Sequence, residues 1–71
     1  MMDNSTVSKN LRALIIKNKL RQHHIAGLLE IDRSTYAYYE SGRHMPSVIT
    51  LKKLADFYEI SLDSFLDPEL I

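Results

Sequence analysis

Cysteine is absent from this 71-residue chain. That excludes a disulfide framework and any zinc site built on thiolates, and it fits a reducing, cytoplasmic setting. Long apolar runs are missing too. None exceeds four residues, as at Ala13 to Ile16, against the roughly 18 needed to cross a bilayer. No charged segment followed by an apolar stretch opens the sequence, so no signal peptide is read there. There is no Gly-rich phosphate loop, no metal-ligand cluster and no nucleophile beside a base. A chain this short buries only about 60% of the surface its unfolded form exposes, which leaves little room for a catalytic cleft. These absences leave a single soluble binding domain, not an enzyme, with no cofactor, metal, membrane partner or small-molecule effector implied.

Net charge is zero, but the charge is unevenly spread. Up to Lys53 nine bases face four acids, a balance of +5. From Leu54 onward there are five acids and no base, a balance of −5. Such asymmetry points to a basic working face and an acidic end turned away from it.

Apolar spacing predicts five helices and no strand. Val7, Leu11, Leu14 and Ile15 fall on one face of a first helix, which Thr6 or Ser8 would cap. Residues 1–6 are expected to be loose. A short second helix runs from about Gln22 to Leu29, with Ile25, Ala26, Leu28 and Leu29 apolar. Asp32 is placed to cap a third helix over 33–40, which Gly42 ends in a left-handed conformation. Ser47 caps a fourth helix to about Tyr58, with the stripe Val48, Leu51, Leu54, Ala55 and Tyr58. Ser61 opens a last short helix through Leu66, and Pro68 follows its end. The tail, 67–71, is left as a candidate dimer contact.

Leu20 to Pro46 is the informative region. Two short helices joined by about three residues must cross steeply, the corner that pushes a second helix into DNA. Ala26 is small enough for the crossing, and Ile31 seals the connection. With Tyr36, Tyr39 and Glu40 inward, the outward stripe of the third helix is Arg33, Ser34, Ala37, Tyr38 and Ser41. It carries no acid. Arg can bind the O6 and N7 edge of guanine in bidentate fashion, and an Ala methyl can meet a thymine methyl.

From Leu11 to Leu66 the sequence resembles the XRE family, the helix-turn-helix proteins of the phage Cro and repressor type and their bacterial relatives. Leu20, Gln22, Ile25, Ala26, Leu29, Ile31, Arg33-Ser34-Thr35, Tyr39-Glu40-Ser41-Gly42 and Pro46-Ser47 carry the resemblance. Leu51, Leu54, Ala55 and Ile60 to Asp63 continue it. It implies a compact five-helix bundle of the lambda-repressor-like type, with helices 2 and 3 as the helix-turn-helix. The implied function is sequence-specific binding of double-stranded DNA by a bacterial or phage transcriptional regulator. Arg33, Ser34, Ala37 and Tyr38 would meet base edges. Arg21, Gln22, His23, Thr35, Ser41, Arg43 and His44 would meet the sugar-phosphate backbone, and Gln22 would also buttress the recognition helix.

Three positions depart from the family pattern. Glu30 stands where Gly is frequent, so a left-handed conformation there costs roughly 1 kcal/mol. Arg21 replaces the usual Thr or Ser cap. Ile15 replaces an arginine that pairs with the glutamate matching Glu40, which must find another partner such as Arg12 or His44. His23 and His24 are adjacent on a helix and diverge by about 100°, which argues against a shared metal ion. One domain makes few contacts, so a homodimer on a palindromic site is expected, joined through Phe65, Leu66, Leu70 and Ile71. Ile16 and Phe57 are weaker dimer candidates. The alternative from another class is a protein-interaction or antitoxin-like adaptor with weak or lost DNA binding.

Overall fold

The computed structural model describes residues 4–70, and within them every regular element is helical. Four α-helices run in order: α1 (Asn4–Lys17), α2 (Gln22–Leu29), α3 (Arg33–Ser41) and α4 (Val48–Tyr58). The expected fifth helix is instead a 3-10 turn over Leu62–Leu66. Pro68 lacks an N–H and disfavours helical backbone in the residue before it, which leaves too few positions for α-helical closure. Among the described residues, no helix is long and apolar enough to cross a membrane.

The core is one cluster. Val7, Leu11, Leu14 and Ile15 of α1 meet Ile25, Ala26 and Leu29 of α2, Tyr36 of α3, Leu51, Leu54 and Ala55 of α4, and Phe65. Two members of the expected stripes fall outside it: Leu28 is 38% and Val48 60% exposed. Both sit beside the buried line of their helix, so the apolar spacing alone does not distinguish them from core positions. α1 starts at Asn4 and not at Val7, which places Thr6 and Ser8 inside the helix. The Ser8 hydroxyl donates to the carbonyl of Ser5 at 3.0 Å, a bond within the helix and not a cap.

One stop signal ends all four helices. Lys19, Glu30, Gly42 and Glu59 have φ of 56°, 58°, 83° and 59°. Each lets the next N–H reach back to a carbonyl of the last helical turn: Leu20 to Ile15, Ile31 to Ala26, Arg43 to Tyr38 and Ile60 to Ala55, at 2.9–3.0 Å. At three of these ends the next residue is Leu20, Ile31 or Ile60, which packs on the core. Gly42 also faces α1, where an added Cβ would stand 3.5 Å from the Ser8 hydroxyl.

Asn10 closes the molecule. It is buried in the α1 stripe, and its side-chain N–H groups donate to the carbonyls of Phe65 at 3.0 Å and Asp67 at 2.9 Å. The C-terminal turn is thereby fastened to α1. Leu70 packs on the core from the segment beyond it.

Candidate nucleic-acid interface

The corner between α2 and α3 consists of Glu30, Ile31 and Asp32. Glu30 is left-handed, so the chain reverses within one residue, and Ile31 plugs the gap beneath. Ala26 is buried where the expected helix crossing requires a small side chain. Asp32 takes the extended conformation of an N-cap, but its side chain makes no capping hydrogen bond. Its carboxylate therefore favours α3 only through the helix dipole. At the start of α2, the Arg21 side chain cannot supply a hydroxyl cap. Its backbone N–H donates to Nδ1 of His24 at 3.2 Å, which is half of a capping box.

α3 divides as the spacing requires. Tyr36 and Glu40 are buried and Tyr39 is half-buried. Arg33, Ser34, Tyr38 and Ser41 are exposed, with Ala37 and Thr35 half-buried beside them. Arg21, His23, Arg43 and His44 are exposed and Gln22 is half-buried. At the end of α3, the Arg43 guanidinium lies over the Tyr38 ring, 5.1 Å from its centroid. The His44 ring meets the edge of the same ring at 5.2 Å. The Tyr38 carbonyl accepts from the N–H groups of Arg43 and His44 and from the Ser41 hydroxyl. This end of the helix is thus a fixed aromatic and cationic platform.

Glu40 is only 7% exposed. Neither expected partner binds its carboxylate. Arg12 donates to the backbone carbonyl of Glu40 at 2.9 Å, and His44 is turned to Tyr38. The partner is Gln22, whose Nε2 donates to Oε1 of Glu40 at 3.1 Å. On its other side, Gln22 Oε1 accepts from Nη1 of Arg33 at 2.8 Å. A single amide therefore links the first and last turns of α3.

Two core tyrosines do not bring their hydroxyls to the surface. The hydroxyls of Tyr36 and Tyr58 and Oε2 of Glu40 are buried with no hydrogen-bond partner among the described residues. Burial first, then the nearby Glu40 carboxylate, raises the Tyr36 phenol well above its ordinary value. The same causes push Tyr58 up to about 12.

Two further expectations change. His23 and His24 do not diverge: their rings lean together with centroids 4.2 Å apart. Phe65 is fully buried and so is withdrawn from any dimer surface, because the turn that carries it is folded down onto α1 by Asn10. Leu66 remains 42% exposed and Leu70 is half-buried, while Ile71 lies outside the described residues. Ile16 and Phe57 are exposed, at 68% and 46%. Ile49 was not singled out from the sequence, yet it is 80% exposed. The buried Asn10 was also missed. Its signal was a polar residue inside the Val7, Leu11, Leu14 stripe.

Comparison with known proteins agrees with this geometry. Residues 11–65 match the model of a family described as helix-turn-helix. The transcriptional repressor RstR of the cryptic phage CTXphi of Vibrio cholerae is 33% identical over 78% of this chain and 50% of its own. The HTH-type transcriptional regulator AnsR of Bacillus subtilis is 48% identical over 62% of this chain and 38% of its own. A crystal structure of a transcriptional regulator from Listeria innocua superposes with a TM-score of 0.82 at 35% identity, covering 84% of this chain and 56% of that one. The chain spans about half the length, or less, of these relatives. With a left-handed Glu30 corner, an exposed α3 stripe and this match, the chain belongs to the helix-turn-helix family of the XRE, Cro and repressor type.

Proposed function

We propose that the protein binds double-stranded DNA in a sequence-specific manner and regulates transcription, with α3 in the major groove. The observation that carries this reading is the exposed, acid-free stripe of Arg33, Ser34, Tyr38 and Ser41, presented by a corner too tight to be a simple helical hairpin. Arg33, Ser34, Ala37 and Tyr38 read base edges. Arg21, Gln22, His23, Thr35, Ser41, Arg43 and His44 lie around that stripe and contact the sugar-phosphate backbone, which sets docking and salt dependence. The names of the relatives support regulation, and a cytoplasmic location follows from it. The module performs no chemistry of its own.

Tight binding calls for two copies, whose recognition helices would enter successive major grooves about 34 Å apart. Leu66, Leu70 and Ile71 are the proposed dimer contacts, with Ile16 and Phe57 as lesser ones. Sedimentation that finds a monomer at micromolar concentration, free and with DNA, would remove this part.

The deciding experiment is fluorescence anisotropy on DNA from upstream of the protein's own gene, against a scrambled duplex, at several salt concentrations. Tight binding to one duplex with a steep salt slope is the expected result. Equal, feeble binding to both, followed by an empty genome-wide selection, would favour a protein-interaction adaptor instead.

A further inference from the structure

We propose that Glu40 is a positioning residue for Arg33, acting through the Gln22 amide, and so sets the selectivity of α3 for one guanine. The inference rests on the DNA-binding reading above and assigns a specificity role to a carboxylate that cannot touch DNA.

Arg33 and Glu40 lie seven residues apart on α3, about 10.5 Å along the axis, the first exposed and the second buried. They cannot meet directly. Gln22, in the first turn of α2, lies across that gap and binds both, at 2.8 Å and 3.1 Å. The chain has a direction. A guanidinium offers only donors and a carboxylate only acceptors, whereas the amide has one side of each kind. Only one orientation of the amide satisfies both neighbours, with its oxygen toward Arg33 and its nitrogen toward Glu40. The carboxylate, held in the core, therefore dictates which face Gln22 shows to the surface. With Nη1 of Arg33 so held, its remaining N–H groups stay free for the O6 and N7 edge of a base. An exposed arginine is thus oriented before it meets DNA, and less conformational freedom is lost on binding.

The test uses Glu40→Leu, which fills similar space but offers nothing to the Gln22 nitrogen, beside Glu40→Gln, whose amide oxygen still accepts from it. In free Glu40→Leu, 15N relaxation of the Arg33 Nε–H should show the side chain loosening toward the behaviour of Arg21. Glu40→Gln should keep the order of Arg33. Selection from a pool of random duplexes then reads specificity, with Arg33→Ala marking the base pair that Arg33 reads. Preference for guanine there should fall at least about fivefold in Glu40→Leu and be kept in Glu40→Gln. A purely structural role would change stability without this difference in Arg33 order.

Unchanged Arg33 order and unchanged preference in Glu40→Leu overturn the proposal. If Glu40→Leu does not fold, Gln22→Ala cuts the same chain from the surface, and an Arg33 as ordered as before overturns it equally. Loss of Arg33 order in Glu40→Leu and its retention in Glu40→Gln, with no motif enriched even by the parent protein, would uphold the positioning and reject the DNA reading.

Discussion

The N–H of Ile31 donates to the carbonyl of Ala26 at 3.0 Å, a bond that Glu30 makes possible by standing at φ 58°. That one reversal sets the entry angle of α3. It places a residue with a Cβ where the backbone favours glycine, at a cost of about 1–2 kcal/mol.

Glu30→Gly should accordingly stabilise the domain, by about 0.5–1 kcal/mol once the greater freedom of glycine in the unfolded chain is counted. Urea unfolding measures it. No gain would mean that the Glu30 side chain makes a compensating interaction. Lys19 and Glu59 have the same geometry and should respond in the same direction.

Ala26→Leu tests the same corner from its packed side. The site is buried at the crossing, so the added volume should cost about 1–3 kcal/mol. A fully stable variant would mean that the two helices do not meet there.

Asn10 should be the most sensitive polar residue of the core. Asn10→Ala removes both hydrogen bonds to the C-terminal turn and is expected to cost about 1–3 kcal/mol. Asn10→Asp is worse, since a carboxylate would face the carbonyls of Phe65 and Asp67. Thermal unfolding of the two variants checks the order, and an Asp variant as stable as the parent would contradict the contact.

Much of this was legible beforehand. The α1 stripe, the α2–α3 corner, the left-handed Glu30 and Gly42, and the Ser47 cap, which accepts the N–H of Thr50 at 3.1 Å, follow from local chemistry. Spacing and capping residues encode them within a few positions of chain. The connections that were not legible span distance. Gln22 meets Glu40, Asn10 meets Asp67, and Arg12 meets the carbonyl of Glu40. In each, a polar group chooses among several donors or acceptors that only packing brings near. Phe65 illustrates the same point, since an apolar residue near the chain end serves a core or an interface equally well until the turn is seen to fold inward.

Arg33 and Arg43 should separate on DNA, under the proposed function. Arg33→Ala should lose about 1–3 kcal/mol on the preferred duplex and little on random DNA, as base reading requires. Arg43→Ala should weaken binding to every sequence and flatten the salt dependence. Equal losses for Arg33→Ala on both duplexes would demote it to a phosphate contact.

Alkaline unfolding reports on the buried phenols. Both tyrosines are raised above the ordinary value of 10.0, Tyr58 to about 12 and Tyr36 further. Below pH 10 the phenols are protonated in both states, so their contribution to stability is fully present. Between pH 10 and 12 the unfolded chain releases these protons while the folded one keeps them, so stability must fall as pH rises. Tyr36 contributes a slope of up to about 1.4 kcal/mol per pH unit, and the half-buried Tyr58 less, because solvent screens it. Tyr36→Phe should change stability at pH 7 by less than about 1 kcal/mol, because the hydroxyl it removes has no bonding partner. It should flatten the alkaline limb, and Tyr36→Phe/Tyr58→Phe should flatten it further. The check is a series of urea titrations from pH 8 to 12. An unaltered slope in the double variant would mean that the phenols ionise in the folded protein, and that Tyr36 is less enclosed than its full burial in the core requires.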